Sequence, residues 1–331
     1  MAEELFHNFY RLDIPLPHNP LKNLNSYFLR GQNGARSLLI DTGFCQDACR
    51  SAMSEQLASI GADLDHTDIF LTHLHSDHAG LAPELIRPGS HIYISEIDLR
   101  YLRAFEQSAT WDAIDTLYAA EGFPPDELEA LHGRNPAKDF APPPCDSYTC
   151  VHDGDLLDYG GRKLRCIATG GHTPGHLCLW DDETHTMFLG DHILFSITPN
   201  ITAWPGYFNA LGQYLKSLDK ISTYDIRTAL PAHRAVICPA KERIAQLKEH
   251  HARRLAEVLS IVTEQPGITA YETAGHMTWS IRCTSWAEFP LTQRWFAVGE
   301  SMAHLEYLMA AGNIERYQDG RVYRYRLSGT K

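Results

Sequence analysis

Thr72-His73-Leu74-His75-Ser76-Asp77-His78-Ala79-Gly80 places three imidazoles and a carboxylate within six positions, directly after the apolar run Ile69-Phe70-Leu71. The run reads as a buried strand, so the polar group stands at a strand end. Neutral imidazole nitrogens and carboxylate oxygens suit zinc-like divalent ions, and a His-x-His step on an extended segment sends both side chains to one side, where they grip one ion. Asp77 and His78 then turn away to grip a second. Any one of these histidines alone reads more readily as part of a His-rich surface loop. Four ligand-type residues in six positions favour a metal loop.

The same arrangement recurs along the chain. A strand over Lys163–Ala168 delivers Gly171-His172-Thr173-Pro174-Gly175-His176, a strand over Met187–Leu189 delivers Gly190-Asp191-His192, and Thr228-Ala229-Leu230 leads into Pro231-Ala232-His233. Small residues beside the polar ones let backbone approach an ion closely, and Thr173-Pro174-Gly175 supplies a turn. His73-x-His75-x-Asp77-His78 resembles the signature of the metallo-β-lactamase superfamily, and the three later stretches are similar to its remaining ligand motifs in family order. The resemblance runs from Asp41 to about residue 250. It implies an α+β fold, a four-layer αββα sandwich of two sheets packed face to face with helices outside. It also implies a ligand set: His73, His75 and His172 on one ion, Asp77, His78 and His233 on the other, and Asp191 bridging. Asp41, at the end of Ser37-Leu38-Leu39-Ile40-Asp41, has two readings, as a cap on its own turn or, by the resemblance, as a partner that orients a metal-ligating group. His176 and His192 are left over once the ligand set is complete; they read as structural histidines, with contact to substrate or to the ligands as the alternative.

A pair of ions about 3.5–4 Å apart would lower the pKa of a shared water and polarise a carbonyl or phosphoryl oxygen, giving a bridging hydroxide as nucleophile. Asp77 and Asp191 are then the catalytic carboxylates. Zinc is the expected metal, with iron or manganese as alternatives. No Gly-x-Ser-x-Gly elbow suggests a serine nucleophile instead. The expected reaction is hydrolysis of an activated carbonyl, a thioester, lactone or related ester, as in the glyoxalase II-like and lactonase branches. Phosphodiester cleavage is the alternative. An iron oxidoreductase is a third reading, but His75 stands where the diiron reductases of the superfamily carry glutamate. A β-lactamase proper fits less well, because those enzymes usually depart from the Asp-His pair and are exported.

Composition sets the limits. The 331 residues, 44% hydrophobic, suffice for one large domain and a small one. No apolar run reaches membrane-spanning length, and the N-terminus lacks a basic region followed by an apolar core, so a cytoplasmic protein is expected. Eight cysteines without a Cys-x-x-Cys pair read as reduced and structural, with Cys45 and Cys49, one helical turn apart, as the pair to watch for redox chemistry. A formal net charge of −12 argues against a general nucleic-acid surface.

Around these motifs the chain reads as strands at Phe9–Ile14 and Ser26–Arg30, a helix from Gln46 to Ile60 closed by Gly61, and a strand at His91–Ser95. Residues of about 98–144 lose the strand rhythm and read as a helical insertion, either a cap over the site or an elaboration of an outer face. The aromatic, Pro-interrupted loop Phe195–Phe208 contains Trp204, Tyr207 and Phe208, which are expected to line a substrate pocket. Residues 1–252 read as the catalytic domain and 253–331 as a separate module of two helices and a terminal hairpin, similar to a winged helix. From Arg253 onward nine Lys or Arg stand against eight Asp or Glu, so this module lacks a basic footprint. Tight nucleic-acid binding is not expected; packing on the catalytic domain or on a second subunit is, and a homo-oligomer is allowed.

Overall fold

The computed structural model of the chain describes residues 2–131, 136–281, 283 and 285–329; positions 132–135 of the expected insertion lie outside these. The chain divides into two compact units, the first made of Met1–Glu106, Pro136–Pro199 and Ser217–Ile244, the second of Gln107–Asn135, Asn200–Lys216 and Ala245–Lys331.

The first unit holds two sheets. Strands β1 (Glu3–Phe6), β2 (Phe9–Pro15), β3 (Asn23–Leu29), β4 (Ser37–Ile40), β5 (Thr67–Phe70), β6 (Ile92–Ser95) and β7 (Tyr148–Val151) lie side by side in chain order. They are antiparallel from β1 to β4 and parallel from β4 to β7. The second sheet is formed by β8 (Leu156–Tyr159), β9 (Arg162–Ala168), β10 (Leu177–Asp181), β11 (Thr186–Gly190) and β12 (Thr228–Pro231), with β12 joined parallel to β11 and the rest antiparallel. Phe9, Tyr27, Leu38, Ile40 and Phe70 from one sheet and Leu164, Cys166, Leu177, Leu179, Phe188 and Leu230 from the other form a single buried cluster, so the sheets pack face to face. Helix α1 (Asp47–Ser59) lies outside the first sheet: its Gln56 side chain exchanges hydrogen bonds with the Asp13 backbone at 2.8 and 3.0 Å. Gly61 follows at φ +62, as a helix stop requires.

Register decides where the loops emerge. Ile40 pairs with Phe70 across the parallel β4–β5 ladder, so Asp41 and the loop after β5 leave at the same end. Gly190 pairs with Pro231 across β11–β12, which brings Asp191 and His233 out together, and Ala168 pairs with Leu177, which puts the β9–β10 loop beside them. The Leu177 N–H donates to the Thr72 carbonyl at 2.8 Å, and the Asn25 N–H to the Ala232 carbonyl at 2.6 Å, tying the two sheets together at this edge. The short helices α2 (Ser76–Ala79) and α3 (Ala82–Leu85) follow β5, and α4 (Glu96–Phe105) follows β6.

Helices α5 (Ser108–Ala120) and α6 (Pro125–Leu131) belong to the second unit; α7 (Pro136–Asp139) returns to the first, and α8 (Ala210–Ser222) and α9 (Ala240–Glu264) follow. Helices α10 (Ala270–His276) and α11 (Leu291–Ala310) and the antiparallel hairpin of β13 (Ile314–Asp319) and β14 (Val322–Leu327) complete the second unit. Thr269 and Glu272 form a reciprocal capping box at the start of α10. The two helices and terminal hairpin expected within 253–331 are present as α10, α11 and β13–β14. Within this unit Tyr118 of α5 stacks on Trp295 of α11, ring centroids 4.8 Å apart. All eight cysteines are free thiols, and burial raises the pKa of both Cys45 and Cys49, which leaves them protonated and poorly nucleophilic.

Candidate metal centre

His73 and His75 lie in the loop between β5 and α2, and Asp77 and His78 on α2 itself. His75 Nδ1 is 3.0 Å from both His73 Nε2 and His172 Nε2, and the three rings stand nearly perpendicular to one another, at 77° to 85°. Three ring nitrogens thus converge on one point. On the other side, His233 Nε2 is 3.3 Å from Asp77 Oδ2 and 3.5 Å from Asp191 Oδ1, and His78 Nε2 is 3.8 and 3.7 Å from the same two oxygens. Asp191 lies between the groups: its Oδ1 faces His78 and His233, while its Oδ2 is 3.6 Å from His172 Nε2. His73, His75 and His172 form one set able to hold a metal ion, and Asp77, His78 and His233 another.

The surroundings fix which nitrogens face inward. Asp41, buried and at φ +58, accepts the Thr72 N–H at 2.9 Å, the Thr72 hydroxyl at 2.8 Å and His78 Nδ1 at 2.8 Å. His233 Nδ1 donates to the Asn23 carbonyl at 2.7 Å. Both histidines therefore keep their protons on Nδ1 and turn Nε2 to the cluster. His176, fully buried, accepts the Asp191 N–H on Nε2 at 3.1 Å and meets Thr169 Oγ1 through Nδ1 at 2.8 Å, so it supports Asp191 from behind.

Electrostatics separate the two halves. Burial, then crowding by neighbouring imidazoles, lowers His73 far below the usual histidine value and His75 to about 3, which keeps both in the neutral, ligating form. Burial opposes charge on His78 as well, but Asp41, Asp77 and Asp191 outweigh it and push its pKa to about 10. His233 rises in the same way, with Asp191 and Asp77 outweighing burial. For Asp77, burial is outweighed by His78 and His233, which hold it below the usual carboxylate range. These carboxylates demand a positive charge beside them, and a proton and a metal ion compete to supply it. His78 Nε2, His233 Nε2 and Asp191 Oδ1 are buried without a hydrogen-bond partner, a costly state that a coordinated cation would relieve. The donor set fits a bound divalent metal.

The sequence pattern of the metallo-beta-lactamase superfamily matches residues 20–233. The chain belongs to that superfamily. A second pattern, described as a metallo-beta-lactamase-like C-terminal domain, matches residues 255–328. Among solved structures, a metallo-β-lactamase family protein of Thermus thermophilus is 30% identical, with a TM-score of 0.82 over 98% of this chain and 99% of that one. A β-lactamase domain protein of Burkholderia ambifaria is 27% identical, with a TM-score of 0.80 over 99% and 93%. A Caenorhabditis elegans protein named beta-lactamase-like protein 2 homolog is 28% identical over 81% of this chain and 77% of its own length. An atrochrysone carboxyl ACP thioesterase of Aspergillus fumigatus is 27% identical over 72% of this chain; the chain spans only 59% of that enzyme. The chain is accordingly a hydrolase of the metallo-β-lactamase superfamily with a His/Asp cluster able to bind metal.

Trp204, Tyr207 and Phe208 fall in the second unit, where Trp204 is buried and bridges to Tyr207 in a tight turn while Phe208 is 58% exposed. Sequence reasoning misses Thr72 and Asp98. Thr72 hydrogen-bonds Asp41 and lies 3.0 Å from His73 Nδ1. Asp98 carries one signal, its place three residues after Ser95 at a strand-to-helix junction.

Proposed function

We propose that the chain is a dinuclear, zinc-dependent hydrolase of activated carbonyl compounds, thioesters first among them. The observation that carries this reading is Asp191, whose two carboxylate oxygens face two separate ligand groups. When bound, a pair of divalent ions supplies Lewis acidity toward a carbonyl oxygen and brings the pKa of a water toward neutrality. The chain's own residues supply the rest. His73, His75 and His172 present neutral nitrogens on one side; Asp77, His78 and His233 hold the other; Asp41 keeps the His78 ring oriented, and His176 keeps Asp191 in place. The thioesterase among the relatives favours a thioester over a lactone. Phosphodiester cleavage is disfavoured because three of the four arginines of the C-terminal hairpin are engaged by acids: Arg316 with Glu121, Arg324 with Asp319 and Arg326 with Glu315.

Metal analysis of the purified protein, followed by a panel of thioester, lactone, phosphodiester and β-lactam substrates, tests the proposal. Two ions per chain and thioester turnover lost on chelation are expected. Asp191→Ala should lower occupancy to one ion or fewer, because two like charges would lose the carboxylate between them. Full occupancy in that variant, or turnover that survives confirmed metal removal, would overturn the reading.

A further inference from the structure

Asp98 is fully buried in the first turn of α4, with its N–H capped by Ser95 Oγ at 3.0 Å. In a capping box the acid at this position returns to the cap residue's own N–H. Here the carboxylate is aimed at the two histidine loops. Its Oδ2 accepts the Leu74 N–H at 3.1 Å and the Thr173 hydroxyl at 2.7 Å, and its Oδ1 accepts the Gly175 N–H at 2.6 Å. Leu74 stands between His73 and His75, and Thr173 follows His172. The approach needs a glycine: a Cβ on Gly175 would lie 2.1 Å from Ser95 Oγ and 2.7 Å from Asp98 Oδ1. Burial raises the Asp98 pKa to about 6 against the pull of Thr173, Gly175 and Leu74, so the fold keeps an acid where an apolar side chain would avoid desolvation.

We propose that Asp98 is a positioning residue that locks the His73–His75 loop to the His172 loop, so that three imidazoles from segments almost a hundred residues apart converge on one ion. This rests on the metal reading above. It predicts a one-sided effect, because Asp98 bonds beside all three histidines of one set, and the bonds found for His78 and His233 run instead to Asp41 and Asn23.

The test uses the full-length protein stripped of metal and titrated with Zn(II) against a competing chelator, and with Co(II) followed by its absorption bands. Wild type is expected to show two binding events, and His233→Ala to keep one, which identifies the three-histidine event. Asp98→Asn should weaken that event about 10–100-fold, the usual effect of removing a group that orients a ligand, and leave the other near its wild-type affinity. Thr173→Val, which withdraws one donor while retaining the acid, should show a smaller loss on the same event, and it carries the test if Asp98→Asn does not fold. Unchanged affinities, or both events weakened equally together with a lower unfolding temperature, would overturn the proposal. A wild-type protein that binds neither ion would remove the metal reading itself, and this proposal with it.

Discussion

At Gly190 the chain turns through φ +49 one residue before Asp191, and a Cβ there would lie 2.6 Å from His176 Nε2 and 2.8 Å from the Thr72 side chain. Neither neighbour can retreat freely, since His176 holds the Asp191 N–H and Thr72 holds Asp41. Gly190→Ala is therefore expected to push Asp191 off its position between the ligand groups and to destabilise the metal-free protein by about 1–3 kcal/mol, as overpacking does. Urea unfolding and metal content check this together; a variant with wild-type midpoint and two ions would show that the turn relaxes. Of the seven clustered residues, His73, His75, Asp77 and His78 stand out in the sequence by their density at one strand end, whereas His172, Asp191 and His233 are picked out by the family resemblance. Among their supports Asp41 is also picked out by the resemblance, but His176 and Asp98 are not. His176 acts on a residue 15 positions away and Asp98 on one 77 positions away, and no periodicity encodes such a contact.

Elements show the same division between local and distant signals. Strands β2, β3, β4 and β9 to β11 and helices α1, α8, α10 and α11 follow from apolar spacing and their stop residues, whereas β1, β7 and β8 are as short as β4 but lack its continuous buried apolar run. Nothing in the insertion announces that Glu121, just past α5, is buried and accepts Tyr325 Oη at 2.8 Å and Arg316 Nη1 at 3.2 Å, from the hairpin some 200 positions on. The same unit contains a titrating joint. Glu306 on α11 accepts the Asn209 N–H at 2.9 Å, and Asn209 Oδ1 accepts the Gly212 N–H at 3.0 Å at the start of α8. Burial raises the Glu306 pKa to about 7, with the Asn209 bond opposing it. A folded pKa above the unfolded value of about 4.3 means that the folded state binds the extra proton. Stability from this group is thus present below about pH 4.3 and is lost as pH rises to about 7. Glu306→Gln removes the charge and keeps an acceptor, so its stability relative to wild type should grow from pH 4.5 to 7 and then level off. Partial exposure limits the gain to about 1–2 kcal/mol. Equal urea midpoint differences at pH 5 and pH 8 would count against the assignment.

For the whole molecule, charge decides which partners approach. The chain carries a formal −12, and no helix among the described residues is long and apolar enough to cross a membrane. A winged-helix reading of the C-terminal module pulls toward nucleic acid, but duplex binding rests on several Lys or Arg contacts to phosphate, each releasing counterions. Arg316, Arg321, Arg324 and Arg326 form the nearest thing to a compact basic group, and all but Arg321 are already committed. Arg324 pairs with Asp319 and donates to the Gly267 carbonyl at 2.7 Å; Arg326 pairs with Glu315 and lies over the Tyr317 ring; Arg316 pairs with buried Glu121 and lies over the Tyr323 ring. Turning them to phosphate would break these pairs and leave Glu121 buried and short of a cation, a loss that weak surface contacts would not offset. We therefore expect no tight DNA or RNA binding at physiological salt. A gel-shift titration across a range of salt concentrations checks it. Submicromolar binding that falls steeply with salt and is abolished in Arg324→Ala/Arg326→Ala would show that the pairs open for phosphate, and would put phosphodiester cleavage ahead of thioester hydrolysis.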